Sequence, residues 1–117
     1  MRIRRARQIL KTLADDTRLR ILNLLYQQKL NVSELREIIG STQSNLSKHL
    51  AKLRLTGMVS DMRTGLNVYY YLRKPEDRAH EELVKSITGG LREIEIFKTD
   101  LKKLKEMKKN KQKKRRA

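Results

Sequence analysis

The chain has 117 residues, which suits one domain with a helical extension, and its hydrophobic fraction of 38% makes any core thin. It contains no cysteine, which excludes disulfides, thiolate metal sites and thiol redox switches, and no apolar run approaches the roughly 20 residues that span a bilayer. The formal net charge of +16 indicates a polyanionic partner, either nucleic acid or an anionic membrane surface.

The positive charge is concentrated at the two ends of the sequence. Residues 1–11 carry five basic side chains and no acidic one, whereas residues 102–117 carry ten basic side chains and one acidic one. The basic start leads into an amphipathic segment, which argues against a signal peptide, so we expect a cytoplasmic protein. The nearly balanced middle of the chain is the candidate globular part.

Apolar spacing and capping residues predict three helices in the first forty residues. One apolar stripe defines the first helix, over about residues 1–13, and consists of Ile3, Ala6, Leu10 and Leu13. Asp15 is a suitable N-cap for the second helix. Asn31 and Glu34 resemble a capping box for the third helix, and Gly40 is placed to end it.

A fourth helix follows after a link of two residues, with Thr42 as its predicted cap and Gly57 as its terminator. Its buried stripe is Leu46, Leu50 and Leu53. Two short helices joined by a turn that contains glycine are typical of a helix-turn-helix. The β-branched and aromatic residues on either side of residues 64–67 then predict a β-hairpin, which would make the unit winged.

A last long helix is predicted over about residues 75–107, with Pro75 in its first turn. Its apolar residues form a heptad seam, which paired glycines interrupt, and are Leu83, Ile87, Gly90, Ile94, Phe97, Leu101 and Leu104. Residues 1–107 are therefore predicted to form one domain, with residues 108–117 as a basic, disordered tail. The fold class is mainly α with a small β-hairpin.

The polar face of the fourth helix is the candidate DNA-reading surface. Gln43, Ser44 and Ser47 carry amide and hydroxyl groups that can read base edges, while Lys48 and Lys52 can reach phosphates. Small side chains, including Ala51, allow the helix to approach DNA closely. The alternative is that this is the ordinary solvated face of a helix.

The tyrosines and histidines are expected to have structural roles. Tyr69, Tyr70 and Tyr71 alternate faces on a strand, so Tyr70 is predicted to point away from its two neighbours and the set mainly to pack, although Tyr69 could contact DNA. We expect His49 to be packed and hydrogen-bonded. His80 lies near acidic residues, yet one histidine without cysteines makes a metal site improbable.

Nothing in the sequence predicts catalysis. No nucleophile, base and orienting group fall together, and there is no glycine-rich phosphate loop. We therefore predict no catalytic, metal or cofactor site, and a protein that is not an enzyme.

Several segments together resemble the ArsR family of winged-helix repressors. LADDTRLRIL at residues 13–22 is similar to the opening of that family, with Asp16 where proline is usual. SNLSKHLAKLR at residues 44–54 resembles its recognition helix, and Arg63, Gly65 and VYY at 68–70 match its wing. The resemblance covers roughly residues 5–100.

The resemblance implies a homodimer, built mainly from the first and last helices, that binds double-stranded DNA at an inverted-repeat operator and represses transcription until an effector releases it. The expected dimer interface consists of Ile3, Ala6, Leu10, Leu83, Ile87, Gly90, Ile94, Phe97 and Leu101. The expected DNA contacts are Thr42, Gln43, Ser44, Asn45, Ser47, Lys48 and Lys52 of the fourth helix and Arg63, Thr64 and Asn67 of the wing.

Departures from the family pattern restrict the classes of effector that the protein could bind. The metal and thiol sensors of the family need cysteine, and the zinc site of the last helix needs a histidine that Asp77-Arg78-Ala79 lacks. The expected effector is therefore neither a soft metal nor a sulfur oxidant. The wing also lacks the basic residue often found after its glycine, for which the cationic tail could compensate.

Two other functions fit the charge. An architectural DNA- or RNA-binding protein would use its basic arms for binding and its helix-turn-helix only for dimerisation. A basic peripheral membrane protein would need an exposed apolar helix face, whereas the last helix is interpreted as a dimer seam, so no membrane partner is predicted.

Overall fold

A computed structural model describes residues 1–116, and the structural statements below concern that range. Its helices and strands follow in the order α1 (Ile3–Leu13), α2 (Asp16–Leu25), β1 (Leu30–Asn31), α3 (Val32–Ile39), α4 (Gln43–Leu55), β2 (Val59–Thr64), β3 (Asn67–Leu72), α5 (Arg78–Leu91) and α6 (Glu95–Arg116). The predicted fold class, mainly α with a small β element, is confirmed.

Side-chain caps fix the start of three helices, as predicted. The Asp15 carboxylate accepts a hydrogen bond from the Arg18 backbone N–H at 3.0 Å. Asn31 and Glu34 form both hydrogen bonds of a capping box at the start of α3. Thr42 accepts from the backbone N–H of Asn45 at the start of α4. These local bonds satisfy N–H groups that the first helical turn leaves free.

Gly40 and Gly57 end α3 and α4 in the left-handed conformation, with φ of 78° and 74°. A glycine adopts this conformation without the steric cost that a side chain brings. The turn between α3 and α4 is therefore short, and the two helices form the predicted helix-turn-helix.

The core lies around α2, which packs against α1, α4, α6 and the sheet. Residues 21–25 of α2 are all buried, as are Leu46, Leu50 and Leu53 of α4. Because α2 is enclosed on most sides, it acts as the scaffold on which the helix-turn-helix is held.

The sheet has three antiparallel strands in the order β1-β3-β2. The hairpin of β2 and β3 was predicted, and Gly65, with φ of 62°, lies in its turn as a tight hairpin requires. The third strand of the sheet is the short β1. It is a strand only because Leu30 and Asn31 pair with Tyr70 and Tyr69, and no local pattern encodes that pairing.

The prediction of a single last helix from Pro75 to residue 107 is wrong in two respects. Asp77, not Pro75, marks the start of α5, because its carboxylate accepts a hydrogen bond from the backbone N–H of His80. The helix also ends at Leu91, directly after Gly89 and Gly90, where two residues of low helix propensity weaken it. A turn then leads into α6.

The predicted dimer seam is divided by this break. Phe97 is buried within its own chain, and Leu83, Ile87 and Leu101 pack partly against the same core. The seam prediction is therefore corrected for Phe97, because α6 folds back onto α2 and α3 of its own chain. The other expected interface residues are half-buried or exposed, and are Ile3, Ala6, Leu10, Gly90 and Ile94.

The expected disordered tail is helical in the structure. α6 continues through Arg116, and only Ala117 of the predicted tail lies outside the described residues. Lysine, arginine and glutamine are good helix formers, so a helix nucleated by the docked part of α6 propagates through them.

Candidate nucleic-acid interface

The recognition-helix candidate α4 is fixed by its inner face. Leu46, Leu50 and Leu53 have no exposed surface, which orients the opposite side of the helix toward solvent. That outer side is exposed at every predicted position, namely Gln43, Ser44, Asn45, Ser47, Lys48, Ala51 and Lys52. The predicted residues of α4 are therefore brought together on one accessible surface.

The first turn of α4 is braced from the preceding turn. Thr42 caps the helix, and the Asn45 side-chain amide donates to the Ser41 hydroxyl at 2.7 Å. One donor of Asn45 is thus engaged locally. This positions Gln43 and Ser44 at the exposed start of the helix, where side chains of a recognition helix meet base edges.

His49 connects the middle of α4 to the start of α2. The Arg18 guanidinium lies 3.1 Å from His49 Nδ1, within hydrogen-bond distance. The carboxylate of Asp15 lies 3.5 Å from the same nitrogen. The prediction of a packed, hydrogen-bonded histidine is confirmed, and the cluster holds α4 at a fixed angle to α2.

The contacts of this cluster lower the pKa of the Asp15 carboxyl. Burial alone would raise the pKa of its carboxyl, but the backbone hydrogen bond from Arg18 and the nearby charges of His49 and Arg18 together lower that pKa. The carboxylate form that caps α2 is therefore favoured.

The wing presents its predicted residues on two faces. Arg63 pairs with Val68 on one face of the hairpin, while Thr64 pairs with Asn67 on the other. All three predicted residues are exposed at the tip. Leu66 is also fully exposed there and falls outside the predicted set, although its place after Gly65 in the turn is a signal that could have identified it.

The tyrosines divide as predicted. Tyr70 packs against the core, whereas Tyr71 is exposed on the opposite face. Tyr69 shares that outer face, and its ring lies 5.5 Å from the Lys29 ammonium, which is a cation–π contact.

His80 is buried at the start of α5, where its Nδ1 accepts a hydrogen bond from the Glu76 backbone N–H at 3.2 Å. Its neighbour Asp77 bonds the chain's terminal amine. That bond, with the hydrogen bond from the His80 backbone, lowers the pKa of the Asp77 carboxyl. Across residues 1–116, no three histidine, aspartate or glutamate side chains are grouped so that they could hold a metal ion.

None of the helices within residues 1–116 has both the length and the apolar character needed to cross a membrane.

Sequence comparison relates the chain to bacterial regulators. A family model described as bacterial regulatory protein, arsR family, matches residues 15–61, which run from α2 into β2. The transcriptional activator HlyU of Vibrio cholerae is 40% identical over 76 residues, which are 65% of this chain and 70% of HlyU. The transcriptional repressor PagR of Bacillus anthracis is 40% identical over 70 residues, which are 59% of this chain and 70% of PagR.

Solved structures agree with this relationship. Reduced HlyU from Vibrio cholerae matches with a TM-score of 0.65 and 34% identity, over 78% of this chain and 88% of that one. The homodimeric winged helix-turn-helix domain of Mb0332 from Mycobacterium bovis matches with a TM-score of 0.63 and 24% identity, over 80% of this chain and 84% of that one, a likeness of fold. The chain is therefore a winged helix-turn-helix transcriptional regulator of the ArsR family.

Proposed function

We propose that the protein binds operator DNA sequence-specifically, with α4 in the major groove and the wing against the adjacent backbone. The observation that carries this proposal is the outer face of α4. It is exposed, small and polar near its start and basic further along, at Lys48 and Lys52. Amide and hydroxyl groups at the start of such a helix suit base edges, and the lysines suit phosphates.

The proposed binding form is a homodimer on an inverted repeat. Large apolar side chains are exposed on α1 and at the α5–α6 turn, with Ile3 at 85%, Leu10 at 51% and Ile94 at 47% exposure. A chain with so thin a core gains stability by covering such residues in a subunit interface. Two recognition helices related by a twofold axis would then read two half-sites about one helical turn, roughly 34 Å, apart.

We propose repression as the mode of regulation. A dimer seated on a promoter operator blocks access to it, and PagR, which is 40% identical over its matched region, is a repressor. HlyU is an activator, so both modes occur among the relatives. A reporter gene placed behind the recovered operator distinguishes them, because deletion of a repressor raises expression and deletion of an activator lowers it.

Selection of bound sites from random duplexes tests the proposal. We expect recovered sequences to share an inverted repeat with the half-site spacing given above. Recovery of unrelated sequences, with no preference over bulk DNA, would contradict sequence-specific binding.

A further inference from the structure

The basic helix α6 is anchored to the body of the protein. Asp100 has no exposed surface, and its two oxygens accept hydrogen bonds from Arg20 of α2, both at 2.8 Å. Phe97, Leu104 and Met107 are buried on the same side of α6. A bidentate ion pair within an apolar contact fixes orientation as well as position.

Further contacts align α6 with α3, the first helix of the helix-turn-helix. The Lys103 ammonium lies 3.4 Å from the carbonyl oxygen of Ile38 near the end of α3. The Lys111 ammonium pairs with Glu34 near the start of α3. The two helices therefore run antiparallel, and the charge of α6 is held at a defined place beside the DNA-reading unit.

Four lysines form a stripe on the opposite side of α6. At 3.6 residues per turn, the buried positions 97, 100, 104 and 107 lie on one face, and the outward face carries the exposed Lys102, Lys105, Lys109 and Lys113. We call these four residues the lysine stripe. It is about 16 Å long, a length of duplex axis that carries roughly ten phosphates.

The lysine stripe has little compensation from the chain itself. Glu106 shares the outward face, one turn from Lys102 and Lys109, but it is the one acidic side chain in residues 102–117 against ten basic ones. Lys105, Lys109 and Lys113 are also spaced four residues apart, so they repel one another along the helix. A bound polyanion relieves that repulsion and releases its own counterions.

We propose that the lysine stripe is a second, sequence-independent site for the backbone of duplex DNA. It points away from α3, so the DNA it binds lies outside the half-site that α4 reads. That DNA is either the flank of the same operator or a second duplex. The inference rests on the proposed function only in taking DNA as the partner of α4.

Neutralising the stripe tests the proposal. The variant Lys102→Gln/Lys105→Gln/Lys109→Gln/Lys113→Gln keeps residues of good helix propensity and removes four charges. The matched control removes four exposed charges elsewhere, by Lys74→Gln/Arg78→Gln/Lys85→Gln/Arg92→Gln. Both full-length variants carry the same formal charge, so a general charge effect appears equally in both.

The measurement is the affinity of each variant for a non-operator duplex over a range of KCl concentrations. The plot of log K against log salt has a negative slope. We expect the magnitude of that slope to decrease by about 2 to 4 per protomer for the stripe variant, because each lost phosphate contact removes roughly 0.9, and to change little for the control. Equal slopes for the two variants would overturn the proposal and identify the stripe as a solvated face. A stripe variant that keeps its affinity for DNA but binds a polyglutamate peptide more weakly would also overturn the proposal, because the stripe would then be a site for an acidic protein.

Two further arms identify the source of the DNA. Extending an operator duplex by ten base pairs on each side should tighten binding of the wild type more than of the stripe variant if the stripe binds flanking DNA. Capture of a labelled second duplex by protein bound to an immobilised operator indicates bridging instead. Absence of both effects counts against the stripe as a DNA site, whereas absence of sequence preference in the site selection contradicts only the proposed operator binding.

Discussion

Gln43 and Lys48 occupy one exposed face of α4, yet their chemistry differs. An amide can form a pair of hydrogen bonds with an adenine edge, whereas an ammonium binds any phosphate. We expect Gln43→Ala to cost about 1–3 kcal/mol on the operator and little on random DNA, and Lys48→Ala to weaken both and lower the salt slope by about 1. Titration of each variant with operator and scrambled duplexes measures this. Equal losses on both duplexes for the glutamine variant would contradict its assignment to base reading.

Asp15 gives a prediction about pH. Because the pKa of Asp15 is lowered in the folded protein, its charge contributes stability above the ordinary value of 3.8, and that stability is lost as pH falls through the lower folded pKa. Asp15→Asn keeps a capping oxygen but removes the charge. We expect urea denaturation to show a deficit for this variant at pH 7 that is smaller at pH 3, where the unfolded chain already binds the proton.

Asp15→Ala serves as the comparison for the cap itself. It removes the hydrogen bond to the Arg18 backbone together with the charge, so we expect an added loss of about 0.5–2 kcal/mol at both pH values. A deficit of Asp15→Asn that is the same at pH 7 and pH 3 would show that the charge of Asp15 is not linked to folding.

At the scale of elements, the docking of α6 depends on the pair of Arg20 and Asp100. Removing one partner of a buried ion pair leaves the other uncompensated, so we expect Asp100→Ala to destabilise the protein by about 3–5 kcal/mol in urea denaturation. The double variant Arg20→Met/Asp100→Leu replaces both charges with apolar groups and should recover most of that loss. A double variant as unstable as the single one would show that the pair does more than compensate its own charges.

The elements that the sequence predicts well are those with local signals. Asp15, the Asn31–Glu34 box and Gly40 each act within three or four residues of their own helix, so their effect is visible in the sequence. The docking of α6 is different, because Arg20 and Asp100 are 80 residues apart. The predicted heptad seam includes the buried Phe97 and Leu104 of α6, but it does not say which surface covers them.

The sequence also predicts one part of the candidate site better than the other, namely α4 better than the wing. The stripe of Leu46, Leu50 and Leu53 identifies the inner face of α4 and hence the outer one. The division of Arg63 from Thr64 and Asn67 across the wing depends on strand register, which the turn fixes and composition does not.

At the scale of the whole molecule, charge is separated from the reading surface. The ten basic residues of the last segment belong to α6, which packs mainly on α2 and α3. We therefore expect substitutions in the lysine stripe to weaken binding to any duplex with little effect on the sequence preference that we assign to α4.

The oligomeric state is also a property of the whole molecule, and it depends on the exposed apolar side chains of α1. We expect the wild type to sediment as a dimer at micromolar concentration, and Ile3→Glu/Leu10→Glu to shift it toward the monomer, because both side chains are exposed in the single chain and their replacement leaves its core intact. Leu55→Glu, at an exposed leucine on α4, is the control and should remain dimeric. Since each monomer then binds a single half-site, the monomeric variant should lose most of its affinity for the operator. Its helical circular dichroism spectrum should be unchanged. A monomer mass for the wild type would contradict both the dimer and the inverted-repeat operator that depends on it.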